Sequence, residues 1–233
     1  MAVKEEKKEA YIMDRIIRVT GKGQISVKPD MIRLLLTLED IRETYEDTLE
    51  QSAKQVEILK DCFEQLGFQR TDLKTLNFHV DTEYESYQDE DKAWKQRFKG
   101  YKFIHSMKIE FDADNKRLGQ VLYALAHAAV RPEFRINYTI KDPEAAKNQL
   151  LGKAISDSKE KARVLTEAAG VKLGDIVTID YSWDEIAFVA EPMRKNMLAM
   201  GVSSARNSDS YQIDIEPDNI NVSDTVTVVW QIG

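Results

Sequence analysis

The chain has 233 residues, 42% of them hydrophobic and 31% charged, enough for one large domain or two small ones with a core of their own. A formal net charge of −7 argues against a duplex nucleic-acid binder, which needs cations against phosphates. The single cysteine, Cys62, excludes an internal disulfide framework and a cysteine-rich zinc site, and His79, His105 and His127 lack ligand spacing.

Residues 1–14 read as a loose charged tail. They hold no apolar run of the kind a secretory leader needs, and no later stretch approaches the roughly 18 apolar residues of a membrane span. These features predict a cytoplasmic chain without a membrane span. One folded region is expected over 15–233, with internal halves at about 15–100 and 101–233.

The stretch GKGQISVKPD, Gly21 to Asp30, has glycines and a lysine like a phosphate-binding loop. Such a loop needs a helix directly after it, because unpaired N–H groups bind the anion. Here MIRLLLTLE follows, alternating Ile32, Leu34, Leu36 and Leu38 on one face, which is a strand. The prediction is therefore two strands turning at Pro29-Asp30, with glycines serving a bulge or a close approach.

A helix follows, with Tyr45, Leu49, Ala53, Val56, Leu59, Phe63 and Leu66 on one stripe. Thr44 is its N-cap, Glu46 and Asp47 suit its positive end, and Gly67 suits the position after its last turn. Next comes a strand with Leu76, Phe78, Val80 and Tyr84 on one side. A long hairpin excursion, YESYQDEDKAWKQRFKG, leads to a strand with Tyr101, Phe103, His105, Met107, Ile109 and Phe111 aligned.

A second helix is predicted over 115–129, with Leu118, Val121, Leu122 and Leu125 inward, then a strand with Phe134, Ile136, Tyr138 and Ile140. The third helix runs over 143–169, opened by Asp142-Pro143 and closed by Gly170. Its stripe of Ala154, Ser158 and Ala162 would let it lie close on a sheet. Val177, Ile179, Tyr181 and Trp183 mark a further strand. After a long connection, Ile220, Val222, Val226, Val228, Trp230 and Ile232 mark the last, with Asp224 interrupting the row.

One-sided alternation favours antiparallel sheets with helices packed on one face, an α+β fold. The exits from the first and third helices share a spacing. Gly67, Asp72, Thr75 and Phe78 match Gly170, Asp175, Thr178 and Tyr181 without a gap, which predicts two repeated helix-strand units.

The candidate chemistry is thin. Ser156 and Lys159 have the S-x-x-K spacing of some acyl-enzymes, but they sit mid-helix without companion motifs. His105 lies on an apolar face, where a hydrogen-bonded core residue is the ordinary outcome. Phe103, Phe111, Phe134, Tyr138 and Trp230 share the helix-facing side, leaving no base-stacking platform on the open sheet face. No cofactor, metal or nucleic-acid partner is implied.

Two loops carry exposed aromatics and methionines: Tyr84, Tyr87, Trp94 and Phe98 in the hairpin, and Met193, Met197, Leu198 and Met200 in the late connection. Aromatics and Met are enriched at interfaces, so these eight are the candidate docking residues. The alternative is a pocket between the two halves that uses Arg33, His79 and Arg135 of the polar sheet face.

These residues together resemble the SIMPL-domain family. The resemblance rests on V-x-G-x-G-x-x-x-V-x-P-D near the N-terminus, on Gly100-Tyr101, and on Ala154, Asp157, Lys161, Ala162, Leu165, Gly170, Leu173 and Gly174 of the third helix and its exit. It implies an α+β fold and, in bacterial members, large ring- or channel-like homo-oligomers. Many of those relatives are periplasmic or at the outer surface, some are linked to oxidative-stress tolerance, and an animal relative is a kinase-binding adaptor. It supplies no catalytic residues. The expected function is a non-enzymatic homo-oligomeric assembly or interaction protein, related to stress, and the alternative is a small-molecule binder or enzyme.

Overall fold

The computed structural model describes residues 15–181, 188–190, 211, 213 and 215–233. In chain order its elements are β1 (Ile16–Val27), β2 (Met31–Arg42), α1 (Tyr45–Gln65), a 3-10 turn (Arg70–Asp72), β3 (Lys74–Gln88), β4 (Trp94–Asp112), α2 (Asn115–His127), β5 (Glu133–Thr139), α3 (Pro143–Ala169), β6 (Leu173–Asp180), β7 (Val189–Ala190) and β8 (Ile220–Ile232). They form two antiparallel sheets with helices, an α+β fold. The chain divides into two compact units. One comprises Met1–Val27, Asp142–Phe188 and Asn221–Gly233, and the other Lys28–Lys141 and Val189–Ile220.

The second unit holds the five-stranded sheet, in the order β3-β4-β2-β5-β7. Ile32, Leu34 and Leu36 of β2 stand opposite Phe111, Ile109 and Met107 of β4 on one side, and Tyr138, Ile136 and Phe134 of β5 on the other. This alternation gives the sheet one apolar face. That face packs with Leu59 and Phe63 of α1 and with Leu118, Val121 and Leu125 of α2. The Pro29-Asp30 turn is fastened at three points: the Asp30 N–H donates to the Thr139 carbonyl, its carbonyl accepts from Ala113, and its carboxylate accepts from the Lys141 N–H at 2.7 Å.

α1 is capped as expected, with the Thr44 hydroxyl accepting from the Asp47 N–H at 3.1 Å and Gly67 left-handed at φ 82°. Its buried stripe begins differently. Thr48 and Ser52 face inward, while Tyr45 and Leu49 are exposed. The first turns of α1 lie over Tyr101 and His105, where polar groups can be satisfied. The Thr48 hydroxyl donates to the Thr44 carbonyl at 2.7 Å, and Ser52 meets His105. α2 ends at His127, two residues before the expected limit.

The first unit holds the sheet β1-β8-β6. α3 packs on β1, and Val19, Ala154, Ala162, Val226, Val228 and Trp230 form the core. The glycines of GKG are explained here. A Cβ on Gly21 would lie 2.0 Å from the Ala154 carbonyl oxygen, and one on Gly23 would lie 2.1 Å from that of Leu150. Glycines on the strand and small residues on the helix bring the two backbones into contact. Tyr181 accounts for the interruption at Asp224, since its hydroxyl donates to that carboxylate at 3.0 Å.

On three strands, residues predicted as buried are bare. Leu76 and Phe78 of β3, Phe134 of β5, and Val177 and Ile179 of β6 are all exposed. β3 and β6 are edge strands, and α1 covers β2 and β4 while α3 covers β1. Trp183 lies outside the described residues. Both repeated exits place a left-handed glycine after the helix, Gly67 at φ 82° and Gly170 at φ 70°. The first then makes the 3-10 turn before β3, whereas the second enters β6 at Leu173.

Candidate functional site

The hairpin excursion is not a loop but an arm. β3 and β4 stay paired out to Gln88 and Trp94, with a register shift between Glu83 and Tyr84. That shift passes over Lys99 on β4, so Phe98 stands opposite Tyr84 on the same side as Tyr101. The rings form an edge-to-face row: Tyr84 to Phe98 at 5.9 Å, Phe98 to Tyr101 at 5.3 Å, and Tyr101 to Tyr45 of α1 at 5.6 Å. At the root of the arm, a Cβ on Gly100 would lie 2.3 Å from the Arg42 carbonyl oxygen, so only glycine admits this crossing.

The tip is locally well built. The Asp89 carboxylate accepts from the N–H groups of Asp91 and Ala93 and pairs with Lys95 at 2.8 Å. The Lys95 ammonium and these backbone amides hold the carboxyl below its usual range. On the opposite face of the arm the Arg97 guanidinium sits over the Tyr87 ring at 5.5 Å and pairs with Glu85. Trp94 at the end is 73% exposed, Tyr84 54% and Phe98 47%. An ordered strand pair thus presents a row of aromatics that no described element covers. Met193, Met197, Leu198 and Met200 lie outside the described residues.

The polar-face candidates sit on the open side of the five-stranded sheet. Arg33 pairs with Glu110 at 2.6 Å, and Lys108 pairs with the same carboxylate at 2.9 Å. Burial pushes the Glu110 carboxyl up, but hydrogen bonds from Lys108 and Arg33 together outweigh it and hold the group low. Arg135 stands opposite Leu35 on the strand beside Arg33. His79 stands opposite Ile104, itself opposite Glu39, six residues along β2 from Arg33 and so about 20 Å away. Its ring meets Asn77 at 3.1 Å and Asp81 at 3.6 Å. The sheet brings Arg33 and Arg135 together and leaves His79 apart.

His105 bridges two hydroxyls, Ser52 at Nδ1 (3.3 Å) and Thr75 at Nε2 (2.8 Å), with Phe78 edge-on at 5.0 Å. Burial, and secondarily the Lys60 charge, push its imidazole below its ordinary range. Among the described residues no carboxylate bonds to this ring, so the arrangement is that of a satisfied neutral histidine. Ser156 donates to the Gly152 carbonyl at 2.9 Å, an ordinary bond within a helix. Burial raises the Cys62 thiol, which makes it a poor nucleophile. Among the described residues no group of three acidic, histidine or cysteine side chains could hold a metal, and no helix is long and apolar enough to cross a membrane.

The residues that carry the family resemblance form a clamp along β1. Asp157 accepts from the Lys22 N–H at 2.7 Å and pairs with Lys161 at 2.7 Å. Lys161 donates to the Thr20 carbonyl at 3.3 Å, and Lys153 to that of Gln24 at 3.2 Å. Thr20, Lys22 and Gln24 alternate along the strand, so these bonds occupy one edge of β1. The sequence pattern showed the helix face but not that its charged residues seal a strand edge. Asp157 and Lys161 are thereby structural.

The SIMPL family model, described as a protein of unknown function, matches residues 17–230. The 26 kDa periplasmic immunogenic protein of Brucella melitensis biotype 1 is 24% identical over 220 residues, covering 93% of this chain and 84% of the relative. Its Brucella abortus counterpart has the same identity and coverage, and the uncharacterized protein YggE of Edwardsiella ictaluri is 22% identical over 92% of this chain and 85% of its own. The two Brucella proteins are named as periplasmic, and this overturns the expectation of a cytoplasmic location.

Proposed function

The chain belongs to the SIMPL family, and from that premise we propose that it is a non-enzymatic assembly protein that joins copies of itself through the β3–β4 arm. The observation that carries this reading is the aromatic row Tyr84–Phe98–Tyr101, held on an ordered strand pair and left bare at its outer end. Rigid aromatics supply contact area at small entropic cost. The arm also carries both signs of charge, Glu83 and Glu85 with Lys95, Arg97 and Lys99, which suits contact with a like arm.

A periplasmic location fits the names of the Brucella relatives. The stress-related role would then act through assembly rather than thiol chemistry, since Cys62 is half-buried with its thiol pKa raised.

The test is the solution mass of the full chain by light scattering, beside a variant carrying Tyr84→Ser, Trp94→Ser and Phe98→Ser. The expected result is a discrete multi-subunit mass that falls in the variant. A monomeric full chain, or an assembly unaltered by the three substitutions, rejects the reading.

A further inference from the structure

α2 stops at His127, and the chain reaches β5 through residues 128–132. The helix-facing side of β5 is left uncovered at its start. Phe134 alternates toward the helices with Ile136 and Tyr138, yet it is 51% exposed. It lines a cavity of about 370 Å³, together with Leu122, Leu125 and Ala126 of α2, Pro132 and Tyr211. Tyr211 is fixed in place. Its N–H donates to the Gly119 carbonyl at 3.2 Å, and its ring meets Tyr123 edge-on at 5.5 Å.

Among the described residues one charged side chain lines this apolar cavity, Arg131. It also lines the adjoining polar cleft, beside Glu39, Lys54 and Glu133. Two of those charges are matched, Lys54 with Glu50 at 3.5 Å and Glu39 with Lys102 at 2.8 Å. Arg131 makes no hydrogen bond or ion pair with any described residue.

We propose that the cavity binds a compact apolar monocarboxylate, with its hydrocarbon against Phe134 and Leu125 and its carboxylate on the Arg131 guanidinium. A guanidinium matches a carboxylate with two parallel hydrogen bonds, and it is the group available here. At roughly 30 Å³ for each water-sized group, the cavity holds about a dozen non-hydrogen atoms. Neutral apolar molecules would fill the same volume but leave Arg131 unmatched, so charge sets the preference.

Calorimetric titration of the full chain with decanoate, and with decanol as the uncharged control, tests this. The expected result is saturable one-to-one binding of decanoate, with decanol about tenfold weaker, the worth of one charge-assisted pair. Arg131→Gln should weaken decanoate to the level of decanol, and Ala126→Trp should fill the cavity and abolish binding. Both positions are exposed, and an unchanged circular dichroism spectrum would show that both variants fold. No saturable binding of decanoate, equal binding of decanol, or undiminished binding by either variant overturns the proposal. Light scattering reads the arm and calorimetry reads this cavity, so the two readings fail separately.

Discussion

The first strand and the arm are both strand edges, and they are finished in opposite ways. Along β1 the Thr20 carbonyl, the Lys22 N–H and the Gln24 carbonyl are bonded by Lys161, Asp157 and Lys153 of α3. Side chains bonded at three successive outward positions hinder another strand from adding to this edge. Along the arm the strands project past the helices, and Tyr84, Phe98 and Trp94 stand exposed. On the proposed reading, the edge bonded by charged side chains disfavours contact and the bare aromatics of the arm supply it.

The largest expected effect is at the sealed edge. Gly21→Val places side-chain carbon where the Ala154 carbonyl already lies, 2.0 Å from a Cβ. The helix must lift from the strand, at a cost of about 3 kcal/mol, the upper part of the overpacking range. Urea unfolding would measure it, with Gly152→Ala as the control on the same helix, since nothing lies within 4 Å of a Cβ there. That control should be neutral or stabilising. Equal costs at the two glycines would break the account of the close approach.

Next in size is the clamp itself. Asp157→Asn with Lys161→Met keeps the shapes but removes the charges that hold Lys22 N–H and the Thr20 carbonyl. The stability cost should be about 1 kcal/mol, because both side chains are partly solvated. The sharper outcome is in solution: with β1 opened, the double variant should associate in a concentration-dependent way beyond the parent. An unchanged sedimentation profile would mean that the edge needs no sealing.

Smaller again is a pH dependence in the five-stranded unit. His105 is held neutral between Ser52 and Thr75, with its folded pKa below the ~6.5 of an unfolded histidine. The unfolded chain therefore binds the proton more readily. The stability from this group is complete above the unfolded pKa and is lost as the pH falls toward the folded one. Urea midpoints measured downward from neutrality should fall more steeply in the parent than in His105→Gln. Identical slopes would remove the histidine from the account.

Much of this fold was legible in the chain, because alternation and caps are local. Ile32, Leu34, Leu36 and Leu38 showed the face of β2, and Gly67 and Gly170 showed where helices end. What periodicity cannot show is whether a helix is wide enough to cover a face. Phe78, Phe134 and Ile179 all alternate as core residues and all are exposed, because α1 reaches β2 and β4, α2 stops at His127, and α3 lies on β1. The cavity beside Arg131 was invisible for the same reason, since it is the space left where coverage ends. Asp157 and Lys161 stood out in sequence, but their backbone partners lie more than a hundred residues away, and only the fold brings them together.

The smallest expected effect on stability is at the arm, and it separates the two edges most directly. Tyr84 touches Phe98, Phe98 touches Tyr101, Trp94 is 73% exposed, and none of the three belongs to the main core, so replacing all three with Ser should move the unfolding free energy of the isolated chain little, about 0.5 kcal/mol per site or less. The arm itself should persist, because its tip is fastened by Asp89 and Lys95 and its other face by Arg97 over Tyr87. Measured at a concentration where only monomer is present, a near-unchanged urea midpoint would show that the aromatic row adds little to the fold of its own chain. That outcome would support the proposed external contact, since the row is held in register by a turn and a strand shift without serving the core. A large drop in the midpoint would mean instead that the row stabilises the monomer, and the contrast with the sealed edge of β1 would collapse.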